Sequence, residues 1–469
     1  MTDVELKSKA VRGAAWGGVS SIVLRMGSLV VGIVLARILT PEQFGVYAVA
    51  LTVQSILMTV ADLGLSADLI RSEEPEKIAP TVATLGMVSG AVTTALAIAS
   101  SGFVAQVLGS EAAAPAIAVL ALTLFLAGVS IVPYAMLLRR FQQRELFWIG
   151  VVDFVVSTVV TLLLVFAGFG VMGLAIGRVS AQVVSSALQF VLAKERPRYG
   201  LDRERVRPVL AFGLPIATAN LLAWGLLNVD NIVLVRIAGA TALGYYVLAF
   251  NISNWPMSAL SQSVRAIALP YFSRTDDASS SLARVTALGW AGALPAGAVL
   301  AVVSAPLISV LYGERWLTSA PVLSALGVFG ALRVLFDIFN GFLYARGHAR
   351  PVLWVQIAWL LALVVGMVLA TTSFGIVGAA WVHVVVALVV ILPMYLIALR
   401  RCGVRLGALL RGAVWPTVAT VPAFAVAGLA VALIGSALPA LLVGGFAAVA
   451  VYLAVVWRWG KRELRAMSA

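Results

Sequence analysis

Apolar and polar positions alternate along this chain in blocks rather than residue by residue. Runs of about 20 or more mostly apolar residues, separated by short polar tufts, recur from one end to the other. That is the length an α-helix needs to cross roughly 30 Å of hydrocarbon. About fourteen spans are predicted, with cores near residues 12–37, 43–69, 79–104, 113–138, 147–168, 170–193, 208–236, 243–270, 283–311, 317–345, 351–373, 375–399, 408–434 and 437–457. No connection is long enough to form a domain outside the bilayer.

Composition agrees. Of 469 residues, 62% are hydrophobic and 11% charged, against about half and about a quarter in a soluble chain. The expected fold class is all-α integral membrane. The net charge of +13 raises the question of nucleic acid. The basic residues sit in tufts between apolar runs, whereas a nucleic-acid binder gathers them on one folded face, so no nucleic-acid partner is expected. Cys402 is the sole cysteine, which excludes an internal disulfide. Lys7, Lys9 and the apolar run from Val11 superficially resemble a signal peptide. The run is too long, lacks a clear cleavage site and carries Arg25, so it is read as the first span.

The basic tufts also orient the chain. With the N-terminus inside, most of the 33 Lys and Arg fall in inside segments, the densest holding Lys194, Arg196, Arg198, Arg203, Arg205 and Arg207. The outside segments hold only Arg37, Arg236 and Arg315. This positive-inside asymmetry predicts an even number of spans and two cytoplasmic termini.

The sequence VLARILTPEQFGVYAVA from Val34 recurs without a gap as VLVRIAGATALGYYVLA from Val233, matching Arg37 to Arg236, Gly45 to Gly244 and Tyr47 to Tyr246. Further on, Leu137, Arg140, Arg144 and Trp148 match Leu343, Arg346, Arg350 and Trp354. Phe169, Gly170, Gly173 and Ala175 then match Phe374, Gly375, Gly378 and Ala380. Spans 1–6 thus repeat as spans 7–12, giving an N-terminal lobe at 1–200, a C-terminal lobe at 201–402 and an extra helix pair at 403–469. Six is even, so the lobes share one topology and are expected to be related by a pseudo-two-fold axis along the membrane normal, with substrate bound between them.

Residues three and four apart share a helix face. On the first span one face reads Gly18, Ser21, Arg25, Ser28, Gly32, and on the second Thr52, Ser55, Thr59, Asp62, Ser66. The repeat carries these to Asn220, Trp224 and Asn231 on the seventh span, and to Asn251, Asn254, Ser258, Ser261 and Arg265 on the eighth. A stripe of small residues alone is ordinary helix packing. An Arg inside the bilayer costs at least roughly 3 kcal/mol unless it faces protein or water, and Arg25 lies about 20 Å from the inner end. A water-filled, net cationic cavity lined by spans 1, 2, 7 and 8 follows, with Arg25, Arg265 and Arg333 as its cations. Snorkelling to lipid headgroups is the alternative for Arg265. Asp62 is open to pairing with Arg25 or Arg265, or to carrying a proton. Arg333 and Asp337 are four apart on the tenth span, where an intrahelical ion pair competes with a substrate role. Arg178 and His383 occupy equivalent repeat positions and are read as hydrogen-bonded groups of the lobe interiors. Asp153 has no assigned role. The sequence has no phosphate-cradling Gly loop, metal-ligand cluster or nucleophile–base spacing. No enzyme activity, metal or cofactor is expected.

Residues 32–71 resemble the opening of the polysaccharide transporter family, which contains Wzx-type flippases and lies in the MATE-like multidrug/oligosaccharidyl-lipid/polysaccharide exporter superfamily. The resemblance rests on Ala36, Arg37, Leu39, Thr40, Pro41, Glu42, Phe44, Gly45, Tyr47 and Ala48, followed by Gly64 and Arg71. It implies a transporter in the bacterial cytoplasmic membrane that flips undecaprenyl-pyrophosphate-linked oligosaccharide outward. Arg25 and Arg265 would attract the pyrophosphate, and the last helix pair would form a lipid-tail groove. Membrane lipids, a polysaccharide polymerase and glycosyltransferases are the implied partners. Coupling is left open between a proton gradient, a sodium gradient and the membrane potential. The competing readings are a cation-coupled multidrug exporter of the same superfamily, a membrane glycosyltransferase or polymerase, and a scaffold. Arg-bearing stripes argue against the first, short external loops against the second and a polar cavity against the third.

Overall fold

A chain surrounded by hydrocarbon must satisfy its backbone polar groups internally, and a helix does this within one segment. The computed structural model describes residue 24 and residues 26–196, 198–272 and 277–468, without the side chains of 226–227, 263–270, 278 and 463–468. Among the described residues every regular element is helical. Met26–Ile38 (α1) is the first. It is followed by Pro41–Asp62 (α2), Leu65–Arg71 (α3), Pro75–Val107 (α4), Ala114–Val129 (α5), Ile131–Arg139 (α6), Gln143–Phe166 (α7) and Gly170–Ala193 (α8). Arg203–Phe272 (α9) is interrupted at Gly239. Then come Ala278–Val302 (α10), Ser304–Tyr312 (α11), Ala320–Ala345 (α12), Ala349–Val386 (α13), Leu392–Arg401 (α14), Leu406–Leu433 (α15) and Ala437–Ser468 (α16).

Among the described residues twelve stretches are long and apolar enough to cross a membrane. One of them, Ala349–Arg401, has 53 residues. It doubles back at Gly375, where φ is +58°, so that Gly366 meets Val382. Counting it twice, and α1 as the described part of a first span, is consistent with the fourteen spans expected. Apolar side chains line the outer faces one turn apart: Val155, Val159 and Leu163 on α7, and Leu361, Val365 and Leu369 on α13, are all exposed. Exposed apolar stripes of this length fit lipid as the solvent.

Three predicted spans are broken. The second divides into α2 and α3 at Leu63 and Gly64, both left-handed. The fourth breaks at Ser130 and the ninth at Val303.

The repeat is written in the turns. Gly170 and Gly375 both have positive φ and open the sixth and twelfth spans. Phe141 and Gly347 follow the matched Arg140 and Arg346 and are both left-handed. Gly109 and Gly313, also at positive φ, each precede a short 3-10 turn that leads into a helix with proline in its first turn. The matched Trp148 and Trp354 are 50% and 63% exposed near the starts of α7 and α13, as interfacial anchors are.

The chain forms two compact units, Met1–Gly244 and Tyr245–Ala469. In the first, Leu65, Leu69, Val82, Ile131, Ala135 and Val209 form a buried core. Helices α4 and α5 cross where a Cβ on Gly86 or Gly128 would strike the other's backbone. In the second, Gly297 and Gly327 play the same part between α10 and α12. The closing pair α15–α16 packs on α10, with Trp290 Nε1 donating to Thr417 at 2.9 Å and the Tyr452 hydroxyl to the Ala291 carbonyl at 2.6 Å.

Candidate functional site

In the first unit the polar stripe of α2 meets that of the first part of α9. Thr40 starts α2 with a capping box: its hydroxyl accepts the Gln43 N–H at 3.2 Å, and the Gln43 side chain accepts the Thr40 N–H at 3.0 Å. Pro41 fills the first helical position, where no N–H is needed. One turn on, a Cβ on Gly45 would run into the Ala240 carbonyl, and one on Gly244 into that of Pro41. The two matched glycines of the repeat therefore hold these helices in backbone contact. At the other end of α2, Gly64 and Gly213 are equally close.

Between the two glycine contacts lies a cavity of 580 Å³. Ser55, Thr59 and Asp62 line it from α2, Asn220 and Trp224 from α9, Ser130 and Tyr134 from the α5–α6 break, and Gln182 and Gln189 from α8. The α2 hydroxyls donate to their own helix, Ser55 to the Thr52 carbonyl and Thr59 to that of Ser55, both at 3.0 Å. This leaves oxygen lone pairs as acceptors, and Ser55 takes the Trp224 indole N–H at 2.9 Å. Asn231 reaches Thr52 at 3.5 Å. Thr52 itself is buried and donates to the Ala48 carbonyl at 2.8 Å. The Asp62 carboxylate accepts the Gly64 N–H and the Ser66 hydroxyl, both at 3.2 Å, and so braces the α2–α3 break.

Other residues of the sequence stripes go elsewhere. Ser28 lines a separate pocket of 550 Å³ with Tyr47, Asp153 and Arg178. There Arg178 pairs with Asp153 at 3.0 Å, and Ser185 donates to the same carboxylate at 2.8 Å. Ser21 and Arg25 lie outside the described residues, as does the Arg265 side chain.

In the second unit several polar groups are tied together. Arg333 donates to Asn254 at 3.1 Å. Tyr395 donates to Asn340 at 2.7 Å, and the Tyr246 hydroxyl and His383 Nε2 are 2.9 Å apart. Asp337, one turn past Arg333, is 8% exposed. Ser258 is half-buried and donates to the Trp255 carbonyl at 3.1 Å, Ser261 is buried and Asn251 is exposed.

The sequence reading missed Gln182, Gln189, Ser130 and Tyr134. Their signal was present, since Gln182, Ser185, Ser186 and Gln189 have the helical spacing of a polar stripe on α8. Asp153 and Arg178 are on consecutive helices joined by a short turn, which brings them to one level. Chemically, the cavity offers amide, hydroxyl and carboxylate groups around an open volume, a surface suited to hydrogen-bonding a polyhydroxyl solute. No group of acidic, His or Cys residues that could hold a metal occurs among the described residues.

The fold matches that of the lipid II flippase MurJ in its inward closed conformation, with a TM-score of 0.78, 12% identity and coverage of 95% of this chain and 99% of that one. Two bacterial proteins are similar in sequence. The lipopolysaccharide biosynthesis protein WzxC of Escherichia coli (strain K12) is 28% identical over 362 residues, 74% of this chain and 72% of that protein. The teichuronic acid biosynthesis protein TuaB of Bacillus subtilis (strain 168) is 24% identical over 398 residues, 82% and 81% of the two chains. Together these place the molecule in a class: multi-pass α-helical membrane proteins that share the fold of MurJ. Within that class the match is particular. The family described as "Polysaccharide biosynthesis protein" matches residues 34–321, and the chain belongs to it.

Proposed function

We propose that this protein moves an undecaprenyl-pyrophosphate-linked oligosaccharide from the cytoplasmic to the outer leaflet for assembly of a cell-surface polysaccharide. The observation that carries the reading is the polar cavity between α2, α5–α6, α8 and α9, in a chain of the polysaccharide biosynthesis family. A sugar needs many weak donors and acceptors rather than a reactive group, and Ser55, Thr59, Asn220, Gln182 and Gln189 supply them. The relatives' names speak of lipopolysaccharide and teichuronic acid biosynthesis, and the fold matches that of a lipid II flippase.

In this reading Arg25 meets the pyrophosphate with its fixed fork of donors, which a Lys point charge reproduces only in part. Arg265 and Arg333 add to the positive field, and Asp62 is the group through which a proton or sodium gradient would act. Access alternates between the two membrane faces.

The test is flipping of a fluorescent undecaprenyl-pyrophosphate oligosaccharide by the purified chain in proteoliposomes, read as access of an impermeant reductant to the fluorophore. Wild-type protein should accelerate access and leave a cationic dye untransported. Arg25→Ala should lower the rate at least tenfold, and Arg25→Lys should retain part of it. Transport of the dye without the glycolipid would overturn the reading. Recovery of flipping in the double variant Arg25→Ala with Asp62→Ala would reduce Arg25 to a partner of Asp62.

A further inference from the structure

The most basic segment of the chain, 194–207, holds six Lys and Arg at the junction of α8 and α9. Where α8 ends, at the left-handed Lys194, the chain passes to the start of α4 and is fastened there. The Gly200 N–H donates to Thr84 Oγ1 at 3.0 Å, and that hydroxyl returns a bond to the Gly200 carbonyl at 3.1 Å. The Asp202 N–H donates to Thr81 Oγ1 at 3.2 Å. The connection is thus pinned to one helix, and beneath it is a pocket of 440 Å³.

The pocket has two chemistries. Its wall is apolar, built from Ala79 and Ala83 of α4, Val132 and Met136 of α6 and Phe190 of α8. Its rim carries Lys194, Arg196 and Arg198, with Tyr199 beside them. The acidic rim residues are Glu76 and Glu195, and the Glu195 carboxylate is held by Arg140 at 2.5 Å. Lys194, Arg196 and Arg198 are exposed, and among the described residues no salt bridge engages them. The pocket lies at the ends of membrane helices, on the face that the positive-inside rule assigns to the cytoplasm. A free phosphate would use only the rim. The apolar wall calls for a ligand with a hydrocarbon part as well.

We propose that this pocket binds one anionic glycerophospholipid of that leaflet, its phosphate among Lys194, Arg196 and Arg198 and the start of an acyl chain along Val132, Met136 and Phe190. Basic pockets between membrane helices on this side select anionic headgroups in just this way, and guanidinium groups suit a phosphate oxygen pair. The site is separate from the transport cavity and stands whether or not the proposed substrate is right.

The test uses the full chain, delipidated in detergent, and native mass spectrometry with added phosphatidylglycerol or phosphatidylcholine. One phosphatidylglycerol should bind in preference. The triple variant Lys194→Ala, Arg196→Ala, Arg198→Ala should weaken that binding at least about tenfold. The control triple Arg400→Ala, Arg401→Ala, Arg405→Ala should not. Excess glycerol 3-phosphate should fail to displace the lipid. Equal loss in both triples, or displacement by glycerol 3-phosphate, would overturn the proposal. A wild-type measurement guards against misfolding of the variants: phosphatidylglycerol carrying a diazirine on its acyl chain should crosslink to residues 129–136 or around Phe190. Crosslinks distributed as with the phosphatidylcholine analogue would also overturn it.

Discussion

The two units share matched turns and helix crossings and use their polar residues differently. In the first, the stripe Ser55–Thr59–Asp62 faces a 580 Å³ cavity, and several of its groups have capacity left for a ligand. In the second, several polar side chains are tied to one another, Arg333 to Asn254, Tyr395 to Asn340 and Tyr246 to His383. The turns at Gly170 and Gly375 and the crossings at Gly86–Gly128 and Gly297–Gly327 keep the same framework in both. The difference teaches that a polar residue inside a membrane protein is not by itself a binding group. What decides is whether its partner is another side chain or an open volume.

This contrast can be broken at its strongest point, the contact of α2 with α9. Gly45→Leu would drive a side chain into the Ala240 backbone, and overpacking against backbone should cost at least about 3 kcal/mol. Folded protein in the membrane should fall severely, with transport falling in proportion. Normal abundance with lost transport, measured by immunoblot beside a flipping assay, would make Gly45 a ligand contact instead.

A smaller effect sharpens the other side. His383→Phe removes one hydrogen-bond contact of the buried Tyr246 hydroxyl, which should cost about 1 kcal/mol. The melting temperature in detergent should drop while flipping per folded molecule stays within twofold. A large fall in that specific rate at unchanged melting temperature would show that the second unit's polar groups also meet substrate.

Much of this framework was legible in the sequence because lipid imposes a simple rule, a long apolar run for every crossing. The sixth span was read as 170–193 and is Gly170–Ala193. The glycine contact of α2 and α9 was legible because Gly45 and Gly244 recur in register. The breaks at Leu63–Gly64, Ser130 and Val303 were not, since hydropathy measures apolarity and length and is blind to one left-handed residue within a run. The α2 and α9 stripes contain Ser55, Thr59, Asp62, Asn220 and Trp224 of the 580 Å³ pocket, whereas the cavity expected from sequence was cationic and lined by spans 1, 2, 7 and 8. Gln182, Gln189, Ser130 and Tyr134 come from helices whose position beside α2 is a matter of tertiary packing. The pairing of Asp153 with Arg178 was not legible, since the two stand 25 residues apart on separate spans and no periodicity links them.

We propose that the polar cavity of the first unit holds the sugar of the lipid-linked substrate. The direct measurement is flipping of the fluorescent lipid-linked oligosaccharide in proteoliposomes by a chain carrying Thr59→Leu and Asn220→Leu, two cavity-lining groups made apolar and larger. The control carries Val92→Leu and Val159→Leu on exposed apolar faces. With both proteins reconstituted at wild-type amounts, the cavity pair should reduce the rate at least tenfold and the control pair should not change it. A wild-type rate from the cavity pair would contradict the claim.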